Sequence, residues 1–386
     1  MKYWRGLRDR LSVYRLRTPF ILGVLLLLVV LSGCQGGLRH ESWPGMSLVD
    51  GTLYVANLEH VQALNAETGK VYWSFPSEDD KNIRPFYSKP ILAEDYSPSG
   101  LLLIAGYKDK TVYALQLGES PAERPDELWR FDEAVGQYVG SGTIANGLFI
   151  IGNGDGTVYA LNIADGNLAW SFRTGDRIWS TPLAVDGIVY VASLDHFLYA
   201  LDIASGVELW KIEMQGAISA TPVYANDSIW IGDFSSTLSR INIATHSVEW
   251  TYMVEAWLWA TPILDGSTLY IVDVGGNLYA LDTETNAVLW TRSGAIADIV
   301  HGSPVLNDDG TRLYVAGFEK GEIHVFDTEN GSLVRTWTQK DAGRLPGDLV
   351  TDGVRLYTLP ILIPDHVQAY DLFTGDRLWP EVQVQE

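Results

Sequence analysis

The chain has 386 residues, 47% of them hydrophobic, with one cysteine and a formal charge of −21. A single cysteine excludes an internal disulfide, a cysteine-based zinc site and a redox pair. The first 33 residues carry six Lys+Arg against one Asp+Glu, which leaves −26 on the remainder, a body that repels nucleic acid and anionic lipid surfaces.

In chain order, residues 1–19 are basic and 20–31 form an apolar run. A dozen apolar residues are too few to span a bilayer comfortably. A charged stretch, a short apolar stretch and small residues at a cleavage point together predict a secretory signal over 1–33. The junction reads Leu31-Ser32-Gly33-Cys34 and resembles the bacterial lipobox. That resemblance implies cleavage before Cys34, acylation of Cys34 as the mature N-terminus, and a membrane anchor through its acyl chains. By the same analogy, Gln35, being other than Asp, implies sorting to the outer membrane where the cell has one. Residues 34–42, with Gly36-Gly37, are expected to form a short tether.

From residue 43 to the end one phrase recurs. It reads Gly187-Ile-Val-Tyr-Val-Ala-Ser, then Phe197-Leu-Tyr-Ala-Leu-Asp202, then Ser205-Gly206-Val-Glu-Leu-Trp210, and its copies begin at Gly51, Gly100, Gly147, Gly187, Asp227, Gly266, Gly310 and Gly353. A period of roughly 40–50 residues is that of four-stranded propeller blades. The predicted fold is all-β, an eight-bladed β-propeller of four-stranded antiparallel blades over 43–386. In each copy the first strand leads into an Asp-Gly-like turn, as in Thr181-Pro-Leu-Ala-Val-Asp-Gly187. The second strand alternates around Val189-Tyr-Val191, the third is the Leu-Tyr-Ala-Leu-Asp strand, and the fourth carries a tryptophan.

Positions within the phrase have physical reasons. The third strand ends on Asn65, Gln116, Asn162, Asp202, Asn242, Asp282, Asp327 and Asp371; Asn and Asp there bond backbone shortly downstream and start the turn. A site expected to need positive φ follows, glycine in five copies but His246 and Asn286 in two. Trp73, Trp170, Trp210, Trp250, Trp290 and Trp379 stand four residues later. They are predicted to pack between blades and give their N–H to a backbone acceptor. Copy two has a longer stretch before Trp129 and copy seven places Trp337 two residues late; both read as loop insertions, not as broken blades.

The phrase Leu198-Tyr-Ala-Leu-Asp-Ile-Ala-Ser-Gly-Val-Glu-Leu-Trp210 resembles the quinoprotein-type (PQQ-like) propeller repeat, over residues 43–380. With a lipobox and eight copies, the chain is also similar to the propeller lipoproteins of the outer-membrane barrel-assembly machinery. The first resemblance implies that a dehydrogenase must be considered. Such enzymes hold pyrroloquinoline quinone (PQQ) with a calcium ion, a catalytic Asp and a stacking Trp, and many add a vicinal cysteine pair. No such cysteine pair exists here, and no long loop insertion that would form a lid is evident. No catalytic residue, metal ligand or cofactor site is therefore assigned. The seven histidines form no metal motif, and Asn153-Gly-Asp-Gly156 reads as a hairpin turn rather than a calcium loop.

Binding residues are sought on the rims instead. Trp179, Trp257 and Trp259 either stack on a quinone or cap the channel or line its mouth, and His301 starts a first strand and is expected near the axis; Trp179 and His301 are also candidate partner-binding residues. Two loops are unusually apolar, Tyr252-Met-Val-Glu-Ala-Trp-Leu-Trp259 and Leu359-Pro-Ile-Leu-Ile-Pro364. Trp257, Trp259, Ile361 and Leu362 are thus candidate partner contacts unless those segments turn inward. The sequence leads to a monomeric, non-catalytic extracytoplasmic scaffold, held to a membrane by Cys34 and binding protein. A quinone-dependent dehydrogenase and a polysaccharide or small-ligand sensor are the alternatives.

Overall fold

The computed structural model describes residues 45–57, 60–76, 86–97, 99–338, 343–361 and 367–379. Cys34, the lipobox and Leu362 lie outside these. Among the described residues the strands form eight antiparallel sheets of consecutive strands, spanning 45–75, 91–131, 142–173, 183–213, 223–253, 263–292, 305–337 and 350–371. They are the eight blades of a β-propeller. Blade 4 shows the pattern, with strands Leu183–Val185, Ile188–Ala192, Phe197–Asp202 and Glu208–Glu213. Seven sheets have four strands. The eighth has three, and its outer position is taken by a single bridge between Tyr370 and Arg377.

The apolar residues explain why blades must stack. The buried side chains fall into eight clusters, each drawn from two neighbouring blades. Val189 and Val191 pack toward blade 3 with Ile150 and Ala160, whereas Tyr190 and Ala192 pack toward blade 5 with Ile229 and Ile231. The alternation expected of the second strand is therefore an alternation between two neighbours. Both faces are buried, and four of the five residues of Ile188–Ala192 are fully enclosed. A lone blade would expose both apolar faces, so the ring is its minimum stable context.

Neighbouring blades are also joined by a repeated contact near the outer strand. The Trp170 indole N–H donates to the Ile203 carbonyl of blade 4 at 2.9 Å. Gly206 lies under the same ring at φ +71°, where an added Cβ would come 2.5 Å from Trp170 Cε3. The position thus needs glycine for its backbone and for the ring above it. Where blade 5 carries His246 instead, at φ +53°, the imidazole stacks on Trp210 with centroids 4.9 Å apart. The polar residue ending the third strand behaves as expected. Asp282 Oδ1 accepts the N–H groups of Glu284 at 3.1 Å and Thr285 at 2.7 Å.

The same contact closes the ring. The Trp379 N–H donates to the Glu67 carbonyl at 3.1 Å and its ring covers Gly69, while the Tyr357 hydroxyl donates to the Ala66 carbonyl at 3.0 Å. Blade 8 and blade 1 share one apolar cluster. Among the described residues closure uses no exchanged strand.

Candidate functional site at the axial channel

The first strands of the blades lie around the axis, and a residue at or just before the start of each begins the channel wall. Gly45, Lys89, Ser141, Thr181, Thr221, Thr261, Ser303 and Asp348 form this waist, one from each blade. The repeat specifies it, because Thr-Pro or Ser-Pro opens four of the copies. The waist also ties blades together. The Lys89 N–H donates to Ser141 Oγ at 2.8 Å, Thr181 N–H to Thr221 Oγ1 at 3.2 Å, Thr261 N–H to Ser303 Oγ at 3.2 Å, and Ser303 N–H to Asp348 Oδ1 at 2.7 Å. Each side chain receives the N–H of the preceding blade at the same position.

Two cavities meet at this waist. One, of about 390 Å³, continues into an aliphatic vestibule bounded by Ile91, Ile263, Val305 and Val350. The other, of about 170 Å³, opens on the mouth, where the position two residues earlier is Tyr87, Val139, Trp179, Ser219, Trp259, His301 or Pro346. Trp179, Trp259 and His301, singled out separately in the sequence, thus occupy one repeat position in three blades. Trp179 and Trp259 meet across blade 5, with centroids 6.0 Å apart, because that blade has the small Ser219 at the same position.

The aromatic surface extends through residues the sequence reading missed. Phe234 stacks on Trp259 at 5.4 Å and on Trp257 at 5.6 Å. His301 lies between Trp259 at 5.5 Å and Phe318 at 4.9 Å, and the Arg344 guanidinium sits 5.5 Å from the Phe318 centroid while pairing with Glu319 at 2.9 Å. Phe234, Phe318 and Tyr107, which packs on Tyr87 at 4.3 Å, all hold the second place after the second strand. Aromatics there, where Leu194 and Val274 stand in other copies, were the available signal. Burial pushes the His301 imidazole below its usual pKa, against the upward pull of Glu319 and Asp298.

The apolar loops divide. In the segment from Tyr252 to Trp259, Val254 and Leu258 are buried while Met253 and Trp257 are 75% and 56% exposed, the most exposed of its apolar residues. Leu359 and Ile361 are buried, and Ile361 exchanges backbone hydrogen bonds with Arg344. That removes Ile361 from the exposed patch expected around it, for its neighbours enclose it. Asn153 and Asp155 form the turn between the second and third strands of blade 3. The Asp155 carboxylate accepts from Thr157 N–H and the Tyr159 hydroxyl.

Among the described residues no three His, Cys, Asp or Glu side chains converge to hold a metal ion. The waist contributes one carboxylate, Asp348. This donor set does not fit the calcium-bound quinone that the repeat family implies.

The family model described as outer membrane protein assembly factor BamB (PQQ_2) matches residues 108–219 and 194–334. The chain belongs to this family. Among solved structures, BamB from Moraxella catarrhalis superposes with a TM-score of 0.67 at 18% identity, covering 84% of this chain and 95% of that one. The computationally designed Ika8 protein superposes with a TM-score of 0.68 at 14% identity, covering 83% and 94%. At such identities the two likenesses are likenesses of fold. No curated protein sequence matches the chain.

Proposed function

We propose that this BamB-family propeller is a non-catalytic, lipid-anchored scaffold of the cell envelope that serves outer-membrane protein assembly. The observation that carries the reading is the aromatic surface at the mouth, Trp257–Phe234–Trp259–Trp179, continued by His301 and Phe318. Indoles with part of their surface in water, on a rigid frame, are the kind of group that dominates protein–protein contacts. Family membership supports the assembly role. The charge of −26 beyond residue 33 holds the ring away from anionic headgroups, so that attachment rests on the acyl chains expected at Cys34.

The test is a photocrosslinking side chain at position 257 in cells, with Cys34→Ser compared in fractionation. Capture of an outer-membrane assembly component, and release of Cys34→Ser from the membrane fraction, are expected. Capture of no envelope protein at 257 would overturn the assembly role, and unchanged fractionation would overturn the anchor. Trp257→Ala is expected to weaken partner binding by roughly 2 kcal/mol, a hot-spot magnitude, measured with the captured partner.

A further inference from the structure

We propose that the axial channel is a binding site for a small uncharged saccharide. The inference shares Trp179 and Trp259 with the scaffold surface but is tested apart from it, by ligand titration of the isolated chain rather than by crosslinking at 257.

The argument begins with what the waist leaves unused. Ser141, Thr221 and Ser303 each accept a backbone N–H through oxygen, and a hydroxyl so engaged keeps its O–H to donate. Asp348 has one oxygen committed to the Ser303 N–H, and its second oxygen is an acceptor on an exposed side chain. Lys89 is exposed and has no ion-pair partner among the described residues. Gly45 separates Lys89 from Asp348 around the ring, and a Cβ there would come 2.5 Å from the Lys89 backbone nitrogen, so blades 1 and 2 meet backbone to backbone. The waist therefore presents several O–H donors, one ammonium and one carboxylate around the channel.

A complementary ligand must supply several acceptors and at least one donor around its perimeter. It must also carry no net charge, because the waist balances one cation with one anion inside a strongly acidic body. On the mouth side it meets Trp179 and Trp259, whose ring faces favour a C–H-rich surface through dispersion and weak C–H contacts. A pyranose combines these properties: hydroxyls at its edge, C–H groups on its face, no charge. The cavity of about 390 Å³ falls within the range of small-molecule sites, roughly 300–1,000 Å³. Mixed apolar walls with a few convergent polar groups are the usual character of such sites.

The experiment uses the full chain, titrated with maltose, cellobiose and N,N′-diacetylchitobiose. Phenylalanine serves as a zwitterionic control and glucose 6-phosphate as an anionic one. Tryptophan fluorescence and thermal midpoint are read together, since a ligand that binds only the folded state raises the midpoint. At least one neutral saccharide is expected to give saturable changes in both. Trp179→Ala and Lys89→Met are each expected to weaken that binding about tenfold, corresponding to about 1.4 kcal/mol. Lys89→Met removes an exposed group with no ion-pair partner among the described residues, so its fold is retained even if Trp179→Ala loosens the mouth. No saturable binding of any neutral saccharide would overturn the proposal. So would binding that both variants leave unchanged, or saturation by a charged control alone.

Discussion

The joint between blades 3 and 4 and the joint between blades 7 and 8 perform one task with different residues. In the first, a single tryptophan does everything. Trp170 covers Gly206 and donates to Ile203. In the second, Arg335 pairs with Val325 in the register that Trp170 holds opposite Ala160. Its guanidinium donates to the Thr374 carbonyl at 2.7 Å. Trp337, two residues later on the same face, supplies the ring that covers Gly375 and touches Tyr314 and Tyr370. The displaced tryptophan of copy seven is thus half of a divided contact rather than an insertion. A repeat position can be conserved as a physical role while its residue changes.

The comparison can be broken most strongly at Trp170. Trp170→Ala removes a buried ring and orphans the Ile203 carbonyl, and should cost about 3–5 kcal/mol in urea unfolding. Trp337→Ala should cost about 1 kcal/mol less, because Arg335 keeps the hydrogen bond; equal losses would deny the division of labour. Gly206→Ala places a Cβ at positive φ against the Trp170 ring and should cost about 2–3 kcal/mol. Arg335→Met tests the polar half alone, with an expected loss of at most about 1 kcal/mol.

A smaller effect sharpens the same contrast through pH. Tyr113, Tyr159, Tyr199 and Tyr279 donate to the hairpin aspartates of their blades, and blade 7 has His324 in their place, bonded to Thr336 and stacked on Phe326. Burial holds the His324 imidazole below its ordinary 6.5, with Glu322 opposing. Its unfolded form then takes up protons that the folded form refuses. The stability is full above about pH 6.5 and declines as pH falls from there toward the lowered folded value. His324→Phe should flatten that slope in urea midpoints measured between pH 7.5 and 5. His301 acts in the same direction, so the slope should shrink rather than vanish. An unchanged slope would remove His324 from the account.

The fold was legible because one phrase recurs eight times and its turn and tryptophan positions carry local meaning. His246 and Asn286 were readable as left-handed substitutes, at φ +53° and +60°, from residue type alone. The second use of that site, as the floor beneath the preceding blade's tryptophan, was not readable, since it depends on two copies about 36 residues apart. The channel was half legible. Trp179, Trp259 and His301 stood out as residues, but their equivalence requires the register that puts them two places before Thr181, Thr261 and Ser303. Phe234 and Phe318 were missed, because sequence does not say which way a hairpin tip leans. Ile361 shows the opposite failure: an apolar loop read as a surface is enclosed in the structure.

Joining Trp379 to Gly69 makes the last blade the neighbour of the first. The polypeptide is synthesised from one end, so its earliest blade must wait, one apolar face uncovered, for the final residues to arrive. Losing a single copy leaves a gap that the remaining seven cannot share out without changing every angle between them. Truncation a few residues short of 379 is therefore expected to harm residues near the beginning as much as those near the cut.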